Sequence, residues 1–378
     1  MFLSKSSILL NSICLRIGVL SVFFASLLPY PALAQENDST PPKRNISWRI
    51  FPAIASQPET GLQLGAVAAI SWSGTDTVNQ AFSRPSSLTP VFIYSLRNQV
   101  LGEFNMDLFF GGGNNLNASP RFSVFPDRYF GIGNDTDPES FESFTHEFFQ
   151  LEGQLSVPIT PSIFWGMYFD VQNSSLRKFE DGGELGTANI LGSEGGFLAG
   201  VGPAFRYDTR DNVIYPSKGF FINARSLFSY VGDFAYANYS LDVRRYFSLR
   251  DDRDVLAVQL NATFTSGDEI PFYKLPQLGG STRLRGLNNA SVYRDRQMML
   301  AQVEYRKHII WRVSAVAFAG MGDVGNTLND FQLSEMKYAA GAGIRFQILD
   351  DQKLNIRFDY GLASNNQSAF YISLREAF

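Results

Sequence analysis

Along much of the chain, apolar and polar residues alternate one by one. At 255–265, Leu256, Val258, Leu260, Ala262 and Phe264 fall on one side, and Gln259, Asn261, Thr263 and Thr265 on the other. At 238–249, Tyr239, Leu241, Val243, Phe247 and Leu249 oppose Asn238, Ser240, Asp242, Arg244 and Ser248. The pattern returns at 340–348, where Ala342, Ile344, Phe346 and Ile348 oppose Gly341, Gly343, Arg345 and Gln347. At 354–361, Leu354, Ile356, Phe358 and Tyr360 oppose Asn355, Arg357, Asp359 and Gly361. A period of two puts each set on one face of a β-strand. The runs are about 9–13 residues long, where soluble strands average about 5–6. That is the length a tilted strand needs to cross a bilayer.

Read this way, the sequence predicts sixteen strands, starting near residues 48, 61, 88, 100, 116, 141, 161, 195, 217, 233, 253, 297, 311, 336, 352 and 367. An even count suits a closed antiparallel barrel with both ends on one side. Bacterial barrels keep their short turns on the periplasmic side. The predicted short turns are Gly111–Asn115, Pro158–Pro161, Thr209–Ser217, Arg250–Arg253, His308–Ile310 and Asp350–Gln352. The long connections Pro126–Ser140, Asn173–Glu194, Gly267–Arg296 and Gly325–Glu335 then fall outside the cell. Ser73–Ser87 departs from this rule, since the count leaves a long segment in the periplasm.

Composition agrees with a membrane barrel. The 378 residues include 34 Phe and 16 Tyr, charged residues make up only 18%, and mean hydropathy is −0.08. After residue 34 no apolar run reaches the roughly 18 residues of a membrane helix. Before it, Lys5 and Arg16 precede or flank an apolar run from Ile17 to Leu28, and Ala32-Leu33-Ala34 has the A-x-A form of a cleavage site. Residues 1–34 therefore read as a signal peptide. Residues 35–47 are polar, with Pro41, Pro42, Lys43 and Arg44, and read as a disordered periplasmic lead-in to a barrel over 48–378. The sole cysteine, Cys14, leaves with the signal, which excludes disulfides and thiolate metal sites. The 32 basic residues fall to 30 without Lys5 and Arg16, against 36 acidic ones, and no basic block points to nucleic acid.

Three stretches go beyond generic barrel physics. The first is Leu278-Gly279-Gly280-Ser281-Thr282-Arg283-Leu284-Arg285-Gly286-Leu287, in the sixth outside loop, between strands 11 and 12. The second is Tyr207-Asp208-Thr209-Arg210-Asp211-Asn212 with Pro216-Ser217-Lys218-Gly219. Asp and Asn bond back to the backbone in turns, Pro presets φ and Gly permits positive φ. The third is Met321-Gly322-Asp323-Val324-Gly325, with Val303-Glu304-Tyr305-Arg306 nearby. Alternation gives Val303 and Tyr305 the lipid face and turns Glu304 inward. Together these resemble the barrel of the outer-membrane assembly-factor superfamily, the BamA/TamA type with its two-partner-secretion relatives. The first resembles the G-G…V-R-G-F/Y motif, the second the Y-D-T-R-D…P…G turn, and the third F-x-D-x-G on strand 13. The resemblance covers 195–378 well and the first half weakly.

That resemblance implies a lumen occupied by the sixth extracellular loop. It implies a loop tip of Gly279, Gly280, Arg285 and Gly286, with Arg285 paired to Asp323 and Glu304 on the wall. It also implies a periplasmic turn built by Asp208, Arg210, Asp211, Pro216 and Gly219. The C-terminal segment adds Phe370, Ile372, Leu374 and Phe378, read on one face and ending on an aromatic. A terminal aromatic at this spacing resembles the signal that barrel-assembly machinery recognises, and it suits an interfacial anchor. Only about 13 residues precede the first strand, so the resemblance is to a barrel without POTRA domains.

Enzymatic chemistry lacks support. The two histidines are His308 in a periplasmic turn and His146, which alternation places in the lumen beside Gln150 and Glu152. No G-x-S-x-G, H-E-x-x-H or P-loop pattern occurs, and no ligand cluster suggests a metal or cofactor. The sequence thus predicts an all-β transmembrane antiparallel barrel in the outer membrane of a Gram-negative bacterium. Its expected partners are outer-membrane lipid, the barrel-assembly machinery during biogenesis, and a client protein or lipid. A passive diffusion pore and a surface-exposed structural barrel stand as the alternatives.

Overall fold

The computed structural model describes residues 46–57, 60–72, 85–180, 182–187, 190–250, 254–349 and 353–378. Its strands are β1 (Ile46–Gln57), β2 (Gly61–Trp72), β3 (Ser86–Ser95), β4 (Val100–Phe110), β5 (Asn114–Tyr129), β6 (Glu142–Thr160), β7 (Ile163–Arg177) and β8 (Gly195–Asp208). They continue with β9 (Gly219–Gly232), β10 (Tyr236–Arg250), β11 (Asp254–Ser266), β12 (Gln297–Ile310), β13 (Val313–Gly325), β14 (Lys337–Leu349), β15 (Leu354–Ala363) and β16 (Ser368–Leu374). Each pairs antiparallel with the next, and β16 returns to β1, so the sheet closes into a barrel. Every predicted strand start lies within three residues of its observed one.

Alternation sorts the wall into two faces. Tyr239, Leu241, Leu260, Val303, Ile344 and Tyr360 are large apolar side chains left exposed. Their neighbours Gln259, Gln302, Glu304, Arg345 and Asp359 are buried. Polar residues inside and apolar residues outside invert the soluble pattern and suit a wall facing lipid. Trp311 sits at positive φ in the turn between β12 and β13 and is 72% exposed, as an aromatic at a membrane interface would be. No helix among the described residues is long and apolar enough to cross a membrane.

The connections alternate between a rim of mostly short turns and a rim that carries the long loops 130–141, 178–194, 267–296 and 326–336. Residues 111–113, 161–162, 209–218 and 311–312 join strands at one rim. Two long loops are shorter than the sequence suggested. β5 runs on to Tyr129 and β7 to Arg177, leaving 130–141 and 178–194 as the connections. The second holds a single helical turn, α1 (Glu184–Thr187), whose Leu185 amide donates to the Glu142 carboxylate at 3.0 Å. Most of the long β2–β3 connection, residues 73–84, lies outside the described residues, as do the predicted signal peptide and most of the lead-in.

Closure is uneven. β2 follows β1 without a break from Ile46↔Trp72 to Gln57↔Gly61. β1 meets β16 at Ser56↔Ile372 alone among the described residues. At 7 residues β16 is also much shorter than the 19-residue β6.

Candidate functional site in the barrel lumen

The connection between β11 and β12, residues 267–296, leaves the long-loop rim and packs against the inward wall at two places. Near its start, Phe272 is buried in an aromatic cluster, with ring centroids 5.4 Å from Tyr129 and 5.7 Å from Phe144. Next to it, Lys274 Nζ donates to Asp170 Oδ2 of β7 at 2.6 Å. Further on, Leu278, Leu284, Leu287, Val292 and Tyr293 form a second apolar cluster with Met298, Leu300 and Val324 of β12 and β13. The loop is thus held on opposite sides of the closed sheet.

At its tip, Arg285 Nη1 donates to Asp359 Oδ2 at 2.7 Å, and Nη2 lies 2.6 Å from Glu304 Oε2. The second contact is an ion pair off the hydrogen-bonding line, because Nη2 has no hydrogen-bond partner. Arg285 therefore bridges two carboxylates rather than forking onto one. Its guanidinium carbon also sits 3.7 Å above the Phe318 ring. Arg285, Glu304 and Asp359 side chains are all 0% exposed. Glu304 lies midway along the 14-residue β12, so the loop tip reaches deep into the barrel.

The wall is shaped to admit this backbone. A Cβ on Gly361 would stand 2.4 Å from the Arg285 carbonyl oxygen, and one on Gly286 would stand 2.9 Å from the Leu362 carbonyl carbon. Gly286 also has φ +135, a conformation side-chain-bearing residues rarely adopt. Two facing glycines allow main chain to meet main chain. Around them, Tyr371 Oη donates to the Leu287 carbonyl at 3.0 Å and Arg357 Nη2 to the Ser281 carbonyl at 2.7 Å. Gln302 Nε2 donates to the Thr282 carbonyl at 3.0 Å. Gly279 donates its amide to Ala290, and Gly280 turns the chain at φ +119.

Asp323, predicted as a partner of Arg285, is not one. Its carboxylate lies 3.9 Å from Lys337 Nζ and accepts from the Val324 amide. The register explains the difference. Asp323 pairs across from Met299, whereas Phe318 lies across from Glu304, five residues further down β13. Five residues span about 17 Å, too far for one guanidinium to touch both levels. Asp359 takes its place: it lies across from Gly343, two residues from Arg345 on β14, and Arg345 bonds it while also reaching Glu304. Alternation had already put Asp359, Arg357 and Arg345 on the polar face; it could not say which of them face the loop tip.

The carboxylates sit in a larger network. Arg306 Nε donates to Glu304 Oε1 at 2.7 Å, and Arg345 Nη1 donates to Asp359 Oδ1 at 2.5 Å. Arg345 Nε donates to Glu376 Oε2 at 2.7 Å. Arg306, Arg345 and Glu376 are site residues that motif reading missed, although Arg306 shares the inward face of Glu304.

The turn at 209–218 is built by the predicted residues. Arg210 forks onto Asp208, with Nε–Oδ1 at 2.9 Å and Nη2–Oδ2 at 3.0 Å. Asp211 Oδ1 accepts from the amides of Ser217 at 2.9 Å and Lys218 at 3.2 Å. Burial opposes its charge, but hydrogen bonds from Ser217 and Lys218 prevail and hold the Asp211 carboxyl below its ordinary range. Pro216 offers its carbonyl to Arg306 Nη1 at 3.3 Å, and Gly219 has φ +113.

The C-terminal residues divide. Phe370 is exposed on the outer face, and Ile372 and Leu374 are half-buried. Phe378 does not share their face: it is 4% exposed and packs inward with Tyr215, Tyr246, Val255 and Ala257. β16 ends at Leu374, and Arg375 at φ +66 turns the chain off the strand, which breaks the alternation before it reaches Phe378.

His146 Nε2 lies 3.1 Å from Ser174 Oγ, and its ring packs against Phe148 and Tyr273. No group of three or more potential metal ligands occurs among the described residues. Below the loop, a cavity of about 250 Å³ remains, lined by Asn117, Glu152, Arg206, Arg210, Asn223 and Arg225 among others.

Residues 94–378 match the family model described as the Omp85 superfamily domain. No curated protein matches. Among solved structures, BamA from Haemophilus ducreyi lacking POTRA domains 1–3 is similar at TM-score 0.61 and 14% identity, over 88% of this chain and 70% of that one. CdiB from Acinetobacter baumannii is similar at TM-score 0.56 and 12% identity, over 88% of this chain and 65% of that one. CdiB from Escherichia coli follows at 0.53 and 10%, over 87% and 63%. The chain therefore spans about two thirds of these structures.

Proposed function

The chain belongs to the Omp85 superfamily, and from that premise we infer that it assists the insertion or transfer of a protein or lipid at the outer membrane. The observation that carries this reading is the seam. β1 and β16 meet at Ser56↔Ile372 alone among the described residues, while every other strand joins its neighbour over most of its length. A strand edge with unpaired N–H and C=O groups is a template for another strand. Main-chain pairing supplies affinity in such additions, so a barrel that closes weakly at one place offers an incoming chain a place to pair.

The loop seated by Arg285 complements the seam. Packed against the inward wall, it narrows the channel and supports the wall as the route of transfer. This favours lateral transfer over the passive pore, whose lumen stays open from rim to rim. No catalytic step is needed for such a role.

Two experiments test the reading. Deleting the gene is expected to change the outer-membrane protein or lipid profile. Because Ser56 and Ile372 are direct cross-strand partners, Ser56→Cys with Ile372→Cys is expected to form a disulfide across the seam, within the usual Cα separation of about 4.4–6.8 Å. The locked protein should fail to complement the deletion, and reductant should restore it. Full complementation by the locked protein would overturn the reading.

A further inference from the structure

We propose that the lumen contains a binding site for an extended peptide bearing a carboxylate two residues ahead of an aromatic, and that residues 375–378 are its resident occupant. The segment departs from the barrel wall at Arg375, whose amide donates to the Asn355 carbonyl at 3.0 Å. Glu376 then enters a set of three donors. Arg345 Nε lies 2.7 Å from Oε2, Arg306 Nε lies 3.7 Å from the same oxygen, and Asn355 Nδ2 donates to Oε1 at 2.8 Å. Two residues on, Phe378 fills an apolar recess made by Tyr246 of β10, Val255 and Ala257 of β11, and Tyr215 of the short turn. Arg306 Nη2 donates to the Phe378 main-chain oxygen at 2.8 Å.

These contacts have the parts of a peptide site: a charged clamp, a main-chain donor and an aromatic pocket. Of these contacts only the Arg375 amide bond to Asn355 continues the β15–β16 register; the bonds of Glu376 and Phe378 are not ladder bonds of the barrel. The occupant comes from the end of β16, and the recess lies on β10 and β11, so the contact is made across the interior and not along the sheet.

Charge gives the site its preference. Arg285, Arg306, Arg345 and Arg357 face Glu304, Asp359 and Glu376. With the segment withdrawn, four guanidiniums face two carboxylates in a buried place. Buried charge without a partner is strongly disfavoured, so the empty site calls for an anion, and the adjacent recess selects an aromatic beside it. The tethered segment competes at an effective concentration of about millimolar or more. A free peptide therefore gains access when the resident segment has lost its anchors. The assignment does not rest on the transfer role above.

The test uses the full chain in detergent micelles and a fluorescein-labelled pentapeptide, Leu-Arg-Glu-Ala-Phe. Glu376→Ala with Phe378→Ala removes both anchors and keeps the chain length. Anisotropy is expected to show the peptide binding this variant at least tenfold more tightly than the unaltered chain. Replacing the peptide's Glu by Gln should weaken binding about tenfold. Equal binding to both chains, indifference to that Gln, or no binding to a variant that still shows heat-modifiable migration would overturn the proposal. Should the double variant fail to fold, Phe378→Ala alone vacates the aromatic recess and removes one anchor. The labelled peptide should then bind this single variant more tightly than the unaltered chain, and equal binding to the two would overturn the proposal.

Discussion

Arg285 and Asp359 are 74 residues apart in sequence and joined by a 2.7 Å hydrogen bond in the lumen. One belongs to a loop and the other to β15, so this contact ties the loop to the wall. Neither is needed for the sheet ladder, which closes through main-chain bonds.

Arg285→Ala is expected to free the loop and spare the barrel. Breaking a buried pair costs about 3–5 kcal/mol in a dry interior, and a lumen with a residual cavity should cost less. Hydrogen exchange should rise across 277–295 while the unboiled band in SDS gels stays compact. Asp359→Ala should behave alike, and Asp323→Ala should leave the exchange of 283–287 unchanged. Loosening by Asp323→Ala equal to that of Asp359→Ala would contradict the observed pairing.

Gly361→Ala tests seating without touching a charge. Its Cβ would meet the Arg285 carbonyl at 2.4 Å, a backbone atom that cannot swing aside. The loop is expected to lift and to show the same exchange pattern as Arg285→Ala. A loop as protected as in the unaltered protein would mean that the close approach is not needed.

Conductance follows from the same geometry. The intact barrel should show small, unsteady currents in planar bilayers, because residues 267–296 occupy the lumen. Arg285→Ala should give larger and longer openings. Large steady steps in the unaltered protein would favour an open pore.

The Asp211 turn should withstand acid. Its pKa is depressed in the folded protein, so its stabilisation is fully present above the unfolded value near 3.9 and disappears as pH falls through the lower folded value. Protection of the Ser217 and Lys218 amides should thus persist down to about pH 4 and fade below it. Asp211→Ala should lose it at every pH. Loss of protection already at neutral to mildly acidic pH would rule out this carboxylate as the staple.

Closure itself predicts resistance to detergent. A barrel closed all round, even with one weak seam, keeps most of its main-chain bonds internal, so unboiled protein should migrate apart from boiled protein. Identical mobility would argue against a closed sheet.

What the sequence determined by itself is what depends on neighbours along the chain. Period-two alternation set the sixteen strands and their two faces, and Gly, Pro, Asp and Asn marked the turn at 209–218. Alternation also turned Glu304, Arg345 and Asp359 inward. The tertiary structure decided which of these meet. That choice depends on the stagger between strands, a sum of hairpin registers that no local pattern records. It set Asp323 five residues up the sheet from the level of Glu304 and set Asp359 beside Arg285. It decided Phe378 as well. One residue at positive φ, Arg375, ends the alternation, and the arginines that receive Glu376 lie on β12 and β14, distant in sequence and close only once the barrel has closed.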